Sequence, residues 1–477
     1  MTKASRPSMR DVLDLQRAAF TAAMPEPLSV RSDRLARAIA MMLEHKHDFA
    51  KAISADFGHR STEQTLLTDI MPSVSALKDA KRHLPAWARD ERRKAMFPLG
   101  LLGAKAKVVY QPKGVVGVMA PWNFPVGMVM CPLAQVLAAG NRAMIKPSEF
   151  TERCSDLFAE LVPQYFALEE MAVFTGGVEV GAEFSSLPLD HIIFTGATSV
   201  GRHVMRAAAE NLTPVTLELG GKSPTIIGRS ADMTKATARI ALGKMLNAGQ
   251  ICLAPDYLMV AEEQEGAAID GITKAVTAMY PTMLTNDDYT SVVNGRNRAR
   301  LEGYLEDAKA KGAELIEVNP ADEQFAGTNG NKLPLTIVRN VTDDMKVMQE
   351  EIFGPILPVK TYKAIDDVIH YVNAHDRPLG LYYFGRDKAE EAQVLGRTVS
   401  GGVTVNDVIF HISNEDLPFG GVGPSGMGNY HGLDGFRTFS HARAVFHQTG
   451  VDVAGIAGMR PPYGKTTLAT LKRELGG

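Results

Sequence analysis

Residues 114–141 carry no charged side chain, and this run limits the fold more than any other feature of the 477-residue chain. A run that long can cross a bilayer or lie inside a folded protein. Pro121, Pro125 and Pro132 interrupt it, and the polar Asn123 follows Trp122 within it. The pattern therefore predicts a buried strand at 115–119, a turn through the prolines, and a buried helix over 127–139. A strand apolar on both sides needs cover on both faces, which is the situation of a parallel sheet between helices.

The rest of the chain agrees. The first ~90 residues read as helices on apolar spacing. Leu35, Ile39, Met42, Phe49 and Ile53 mark one packing face within 29–56, and Ser8–Asp11 and Ser61–Gln64 resemble capping boxes. Beyond Ala106, strands are predicted near 108–110, 115–119, 143–146, 172–174 and 191–194. Helices are predicted near 127–139, 155–166 and from 199. After Glu218 the alternation resumes, with helices at 233–246, 266–278 and 296–311 and strands at 257–260, 335–338 and 403–405. This is the texture of an α/β protein with parallel sheets. Two α/β units meet around residue 220. At this length one core is not enough, and two or three domains are expected.

Composition excludes some function classes. With 51 basic and 54 acidic residues the net charge is -3, so neither a nucleic-acid nor a membrane partner is expected. The N-terminus lacks the apolar core of a signal peptide. Cys131, Cys154 and Cys252 are too few for a disulfide framework, and no Cys/His spacing suggests a metal site. A reducing compartment, the cytoplasm, is the expected location.

Several short stretches can carry chemistry. Cys252, between Gly249 and Pro255, should sit on irregular backbone between a helix and a strand. It is either a small buried hydrophobe or a presented nucleophile. Asn123 either satisfies backbone groups or aims an amide at an oxyanion. Glu218 interrupts an apolar strand just before Gly220-Gly221, and a buried carboxyl with a raised pKa suits acid–base work. Gly196 and Gly201 bracket a strand-to-helix turn that is either plain or an approach for phosphate. Lys146, Ser148 and Glu149 end a strand, where a carboxylate either stands in solvent or meets ribose hydroxyls. Glu351 and Phe353 precede a Gly-Pro turn. The glycine-rich 418–428 lacks the ending of a P-loop and reads as a tight loop walling a pocket.

Taken together, Leu217-Glu-Leu-Gly-Gly-Lys-Ser-Pro224, Gly249-Gln-Ile-Cys252, Pro121-Trp-Asn-Phe-Pro125 and Glu351-Ile-Phe-Gly-Pro355 resemble the aldehyde dehydrogenase superfamily. The resemblance covers nearly the whole chain. Cys252-Leu-Ala-Pro-Asp-Tyr257, Val405-Asn-Asp-Val-Ile409 and Tyr430-His-Gly432 are similar to its class 3 branch, whose bacterial members include coniferyl aldehyde dehydrogenases.

The resemblance implies NAD(P)-dependent oxidation of an aldehyde, hydrophobic or aromatic, with coniferaldehyde the named candidate. Cys252 is then the nucleophile, Asn123 an oxyanion donor and Glu218 the base that hydrolyses a thioester. Trp122, Lys146, Ser148, Glu149, Gly196, Gly201, Glu351 and Phe353 are the cofactor residues. NAD is expected, with NADP also open. One departure is Ala197, where the family often has a serine. The implied fold is a Rossmann-like cofactor domain (1–94 and 112–219), an α/β catalytic domain (220–435) and a small β oligomerisation bridge (95–111 and 436–449). A tail, 450–477, follows; it is short and charged, and a soluble homodimer is expected. Two other readings are a CoA-acylating relative, against which Glu218 argues, and a non-catalytic protein on the same scaffold. Cys131 and Cys154 match no catalytic position.

Overall fold

A computed structural model describes residues 7–327 and 330–476. The uncharged run folds as its pattern dictates: a strand, Val115–Met119, then a turn, then a helix, Gly127–Ala139. No helix among the described residues is long and apolar enough to cross a membrane.

The strand is the centre of a six-stranded sheet. The order across it is Gly426–Met427, Val215–Leu219, His191–Gly196, Val115–Met119, Arg142–Lys146, Met171–Val173. All neighbours run parallel except the short Gly426–Met427, which pairs antiparallel with Leu217 and Glu218. Alternate residues feed two cores. Val116, Val118, Ala143 and Ile145 face one side with the long N-terminal helices, and Val115, Met119 and Met144 face the other. Both faces are covered, which is why every residue of Val115–Met119 and Arg142–Lys146 is buried.

A seven-stranded sheet follows, in the order Glu314–Val318, Leu335–Arg339, Ile356–Tyr362, Tyr257–Ala261, Pro224–Ile227, Gly380–Phe384, Gly402–Val405. Only Glu314–Val318 is antiparallel to its neighbour. Its central strand again splits, Leu258 and Val260 to one core and Tyr257 and Met259 to the other. A three-stranded antiparallel sheet joins Glu91–Arg93, Lys105–Pro112 and Ser440–His447.

The apolar residues at helical spacing in 29–56 fall on two helices, Leu28–Glu44 and Lys46–Phe57, separated at His45, whose backbone leaves helical geometry. The His45 ring is held there by Asp48 and Tyr165. Ser8 forms the full capping box with Asp11. Ser61 caps Gln64, but the turn it opens, Thr62–Thr65, widens at once into a π-turn, Leu66–Ile70, before Met71–Trp87 resumes as α-helix.

Candidate active site

The six-stranded sheet changes winding direction between Val115–Met119 and His191–Gly196, and the C-terminal ends of adjacent parallel strands diverge there into a crevice. Trp122 and Asn123 follow one of these strands, Gly196 ends the other, and Glu218 lies at the end of the next. These residues line one cavity of about 730 Å³, together with Ser199, Gly220, Cys252, Arg300, Glu351 and Phe353. A second cavity, about 340 Å³ and mostly apolar, is lined by Leu67, Met71, Phe124, Met128, Ile251 and Ile409 among others. Cys252 belongs to the wall of both.

The thiol reaches that junction through a strained turn. The helix Met233–Met245 gives way to Leu246–Gly249, in which Asn247 and Ala248 both adopt positive φ. Gly249 follows at φ +73, and a Cβ there would overlap the carbonyl oxygen of Gly354, so only glycine fits. Cys252 is partly exposed, unlike Cys131 and Cys154, which are buried. Burial and the nearby Glu351 and Glu218 carboxyls push its pKa up to about 12, while the backbone N–H groups of Cys252 and Leu253 favour the thiolate.

Asn123 is buried and ties this loop to the first sheet. Its Nδ2 donates to the carbonyl of Gln250 at 3.1 Å, and its own carbonyl accepts from Asn247 Nδ2 and from Arg60 Nη1, both at 3.1 Å. Gln250 in turn donates to Ser291 and accepts from the Val293 N–H. Arg60 pairs with Asp69 at 2.8 Å in a fully buried ion pair. The other oxygen of Asp69 accepts from the Val126 and Gly127 N–H groups at the start of the uncharged helix. Of the alternatives raised for Asn123, the structure shows the first: one amide N–H satisfies a backbone carbonyl, in a residue that also lines the cavity.

Glu218 is buried, and neither carboxyl oxygen has a hydrogen-bond partner. Burial alone raises its pKa well above the ordinary range. The Glu351 carboxyl is pushed up to about 8, by burial and then by Asp256, and its Oε1 is likewise unpartnered. A Cβ on Gly220 would overlap Glu351 Oε2, so the glycine is what lets this carboxyl close on the strand end.

Arg300 fixes the backbone that presents Glu351 and Phe353, with Nη1 2.9 Å from the Ile352 carbonyl oxygen. Lys222 donates to the carbonyls of Val347 and Glu350 and pairs with Asp256, which accepts from the Ile352 N–H. Trp122 stands edge-on to Phe353 at 5.3 Å between ring centres.

Other predicted residues stand apart. Lys146, Ser148 and Glu149 lie at the end of the neighbouring strand, outside the wall of the 730 Å³ cavity. Lys146 is buried and bonds Glu149 at 3.0 Å; Glu149 is exposed; Ser148 is buried and accepts from the Phe150 N–H. Gly201 is buried in the helix Thr198–Ala209, packed against Leu219. That helix opens at Ala197, which supplies no side-chain cap, and Thr198 and Ser199 at its start line the cavity. The Val200 and Gly201 N–H groups donate to the Ala197 carbonyl, which leaves those of Thr198 and Ser199 as the end of the helix at the crevice. The glycine-rich 418–428 pairs with the strand carrying Glu218: Leu219 N–H donates to Ser425, and Gly426 opposes Glu218.

Sequence reasoning missed Arg60, Asp69 and Arg300. Gln250 and Lys222 lay within the motifs already singled out.

This fold and thiol-centred crevice have counterparts among known proteins. The aldehyde dehydrogenase family profile matches residues 1–445, and the chain belongs to that family. It is an NAD(P)-dependent aldehyde-oxidising enzyme. Among its relatives, a probable coniferyl aldehyde dehydrogenase of Caulobacter vibrioides is 57% identical, over 96% of this chain and 94% of the relative. The coniferyl aldehyde dehydrogenase of a Pseudomonas species is 54% identical, over 95% and 93%. The substrate-bound structure of Staphylococcus aureus AldH superposes with a TM-score of 0.90 at 33% identity, covering 97% of this chain and 99% of that one.

Proposed function

We propose that this enzyme oxidises hydrophobic aryl aldehydes, coniferaldehyde foremost, to the carboxylic acid with NAD as hydride acceptor. The observation that carries the reading is the position of Cys252, a partly exposed thiol at the meeting of a polar crevice and an apolar chamber. The apolar lining supports a hydrophobic substrate, and the similarity to two bacterial coniferyl aldehyde dehydrogenases, one of them so named as probable, supports coniferaldehyde.

The crevice fits the cofactor. It offers an uncapped helix N-terminus to a pyrophosphate beside Gly196 and Gly201, and the unpartnered Glu351 Oε1 to hydroxyls of the nicotinamide ribose. Trp122 and Phe353 would hold the nicotinamide, and Lys146, Ser148 and Glu149 would hold the adenosine ribose. The exposed Glu149 carboxylate suits a 2′-hydroxyl and repels a 2′-phosphate, which favours NAD over NADP.

Cys252 gives up its thiol proton to water, and Sγ, now a thiolate, attacks the aldehyde carbon. The oxyanion accepts hydrogen bonds from Asn123 Nδ2 and the Cys252 N–H. Bound nicotinamide supplies the acceptor for the aldehyde hydrogen, taken as hydride. The acyl group then remains on Cys252 as a thioester. Glu218 takes a proton from water, the water attacks the acyl carbon, and the thiol leaves as the acid forms.

The sheet containing Lys105–Pro112 ends in an exposed edge strand, Ser440–His447, near the exposed Phe97 and Leu101. An unpaired edge is a template for a second chain, so 95–111 and 436–449 serve as the bridge of a homodimer. The three free cysteines suit a cytoplasmic setting.

The test is nicotinamide reduction over coniferaldehyde, benzaldehyde, hexanal and acetaldehyde, with NAD and NADP, without and with CoA. Turnover without CoA that ranks coniferaldehyde first with NAD is expected. Turnover that requires CoA contradicts the hydrolytic role of Glu218, and a preference for acetaldehyde contradicts the substrate class.

A further inference from the structure

The apolar chamber carries a carboxyl at the end that opens outward. Glu415 lines the chamber and also an open depression formed with Lys78, Asp79, Arg82, His83 and Trp87. It therefore stands where the chamber meets the surface. Tyr430 shares the chamber wall with Glu415 and Cys252 and lies within electrostatic reach of both.

Glu415 Oε2 is buried and has no hydrogen-bond partner. Its neighbour Asp79 is engaged by Arg82 at 2.7 Å and His83 at 3.1 Å, so those side chains are directed at Asp79. Burial and Asp79 hold the Glu415 carboxyl up to about 7. A buried acceptor among apolar side chains costs stability unless a donor reaches it. Among the described residues, His431 Nδ1 is the other buried side-chain nitrogen or oxygen on this wall without a partner, but His431 does not border the outer depression.

We propose that Glu415 is a specificity-determining residue that accepts a hydrogen bond from a hydroxyl at the end of the aldehyde substrate remote from its carbonyl. The inference rests on the aryl-aldehyde reading above and narrows it to aldehydes with a distal donor, such as the para-hydroxyl of an aryl propenal. With the carbonyl at Cys252, an extended conjugated molecule places that hydroxyl at the far end of the chamber. A methyl ether at the same position has no proton to donate.

The experiment compares kcat/KM for coniferaldehyde, its 4-O-methyl ether and cinnamaldehyde in wild type, Glu415→Leu and Glu415→Gln. At a pH above the Glu415 pKa of about 7, a hydrogen bond to the ionised acceptor predicts that wild type prefers coniferaldehyde over the ether by about tenfold to a hundredfold. In Glu415→Leu the preference should fall to about twofold or less, because the acceptor is gone. The ether and cinnamaldehyde should keep their rates there, which also verifies that the variant is folded. Glu415→Gln, which retains an acceptor oxygen, should keep part of the preference.

A wild-type ratio preserved in Glu415→Leu overturns the proposal, and so does an equal loss on all three substrates. A wild type that turns over hexanal but none of these three instead overturns the aryl-aldehyde reading on which the proposal stands.

Discussion

The side-chain amide of Asn123 donates to the carbonyl of Gln250, two residues before Cys252, at 3.1 Å. The proposed oxyanion donor and the loop that carries the thiol are thus one hydrogen-bonded unit, although they come from different sheets. Asn123→Ala removes both the donor and the tie. Loss of one oxyanion donor typically lowers kcat by about a hundredfold to a thousandfold. Steady-state kinetics on the variant should show a fall of that size, with Cys252 still titratable by a thiol reagent after denaturation.

The thiol of Cys252 is held up to about 12 by burial, Glu351 and Glu218. In the free enzyme it is protonated near neutral pH, so alkylation by iodoacetamide should be slow and should rise about tenfold per pH unit up to about pH 10. Above about pH 8, where the Glu351 carboxyl is ionised and opposes the thiolate, Glu351→Gln should alkylate faster than wild type. Cys131 and Cys154 are buried with raised pKa and should stay unmodified.

Glu351 gives a pH dependence of stability with a definite sign. Its carboxyl sits at about 8 in the folded protein against an ordinary 4.5. The folded state keeps a proton that the unfolded chain releases, so the stabilisation is complete below 4.5 and is lost as pH rises toward 8. Urea midpoints should fall across this window more steeply for wild type than for Glu351→Gln. Parallel curves would contradict the assignment.

Arg60 and Asp69 form a fully buried pair that also caps the helix Gly127–Ala139 and holds the Asn123 carbonyl. Removing one partner leaves the other charge buried and uncompensated. Arg60→Leu should cost about 3–5 kcal/mol of unfolding free energy, measured by urea denaturation. It should also slow turnover by loosening Asn123.

The sequence shows the residues whose chemistry is local and hides those whose role is made by contact. Cys252, Glu218 and Asn123 are visible because each interrupts its surroundings: a thiol beside Gly249, a carboxyl in an apolar strand, an amide among prolines. Arg60 and Asp69 look like ordinary surface charges nine residues apart, and with Arg60 before the helical turn Thr62–Thr65 and Asp69 in the π-turn Leu66–Ile70, no helical spacing pairs them. Arg300 acts through backbone carbonyls some fifty residues away.

The strands Ile356–Tyr362 and Gly380–Phe384 escape for a different reason. They are covered on both faces, so no alternation of polar and apolar residues marks them. The split of the second helical segment at His45 depends on Tyr165, a residue far along the chain.

The central claim is that the aldehyde passes through a thioester on Cys252 that Glu218 hydrolyses. Glu218 lines the crevice with both oxygens unpartnered, which leaves it free to meet a water. In Glu218→Gln, mixing with coniferaldehyde and NAD should give a burst of reduced nicotinamide equal to the enzyme concentration. A steady rate lower by about a hundredfold or more should follow. Mass spectrometry of the quenched variant should find the acyl group on the peptide containing Cys252. Reduced nicotinamide formed at the wild-type steady rate, with no acyl mass on Cys252, would contradict the account.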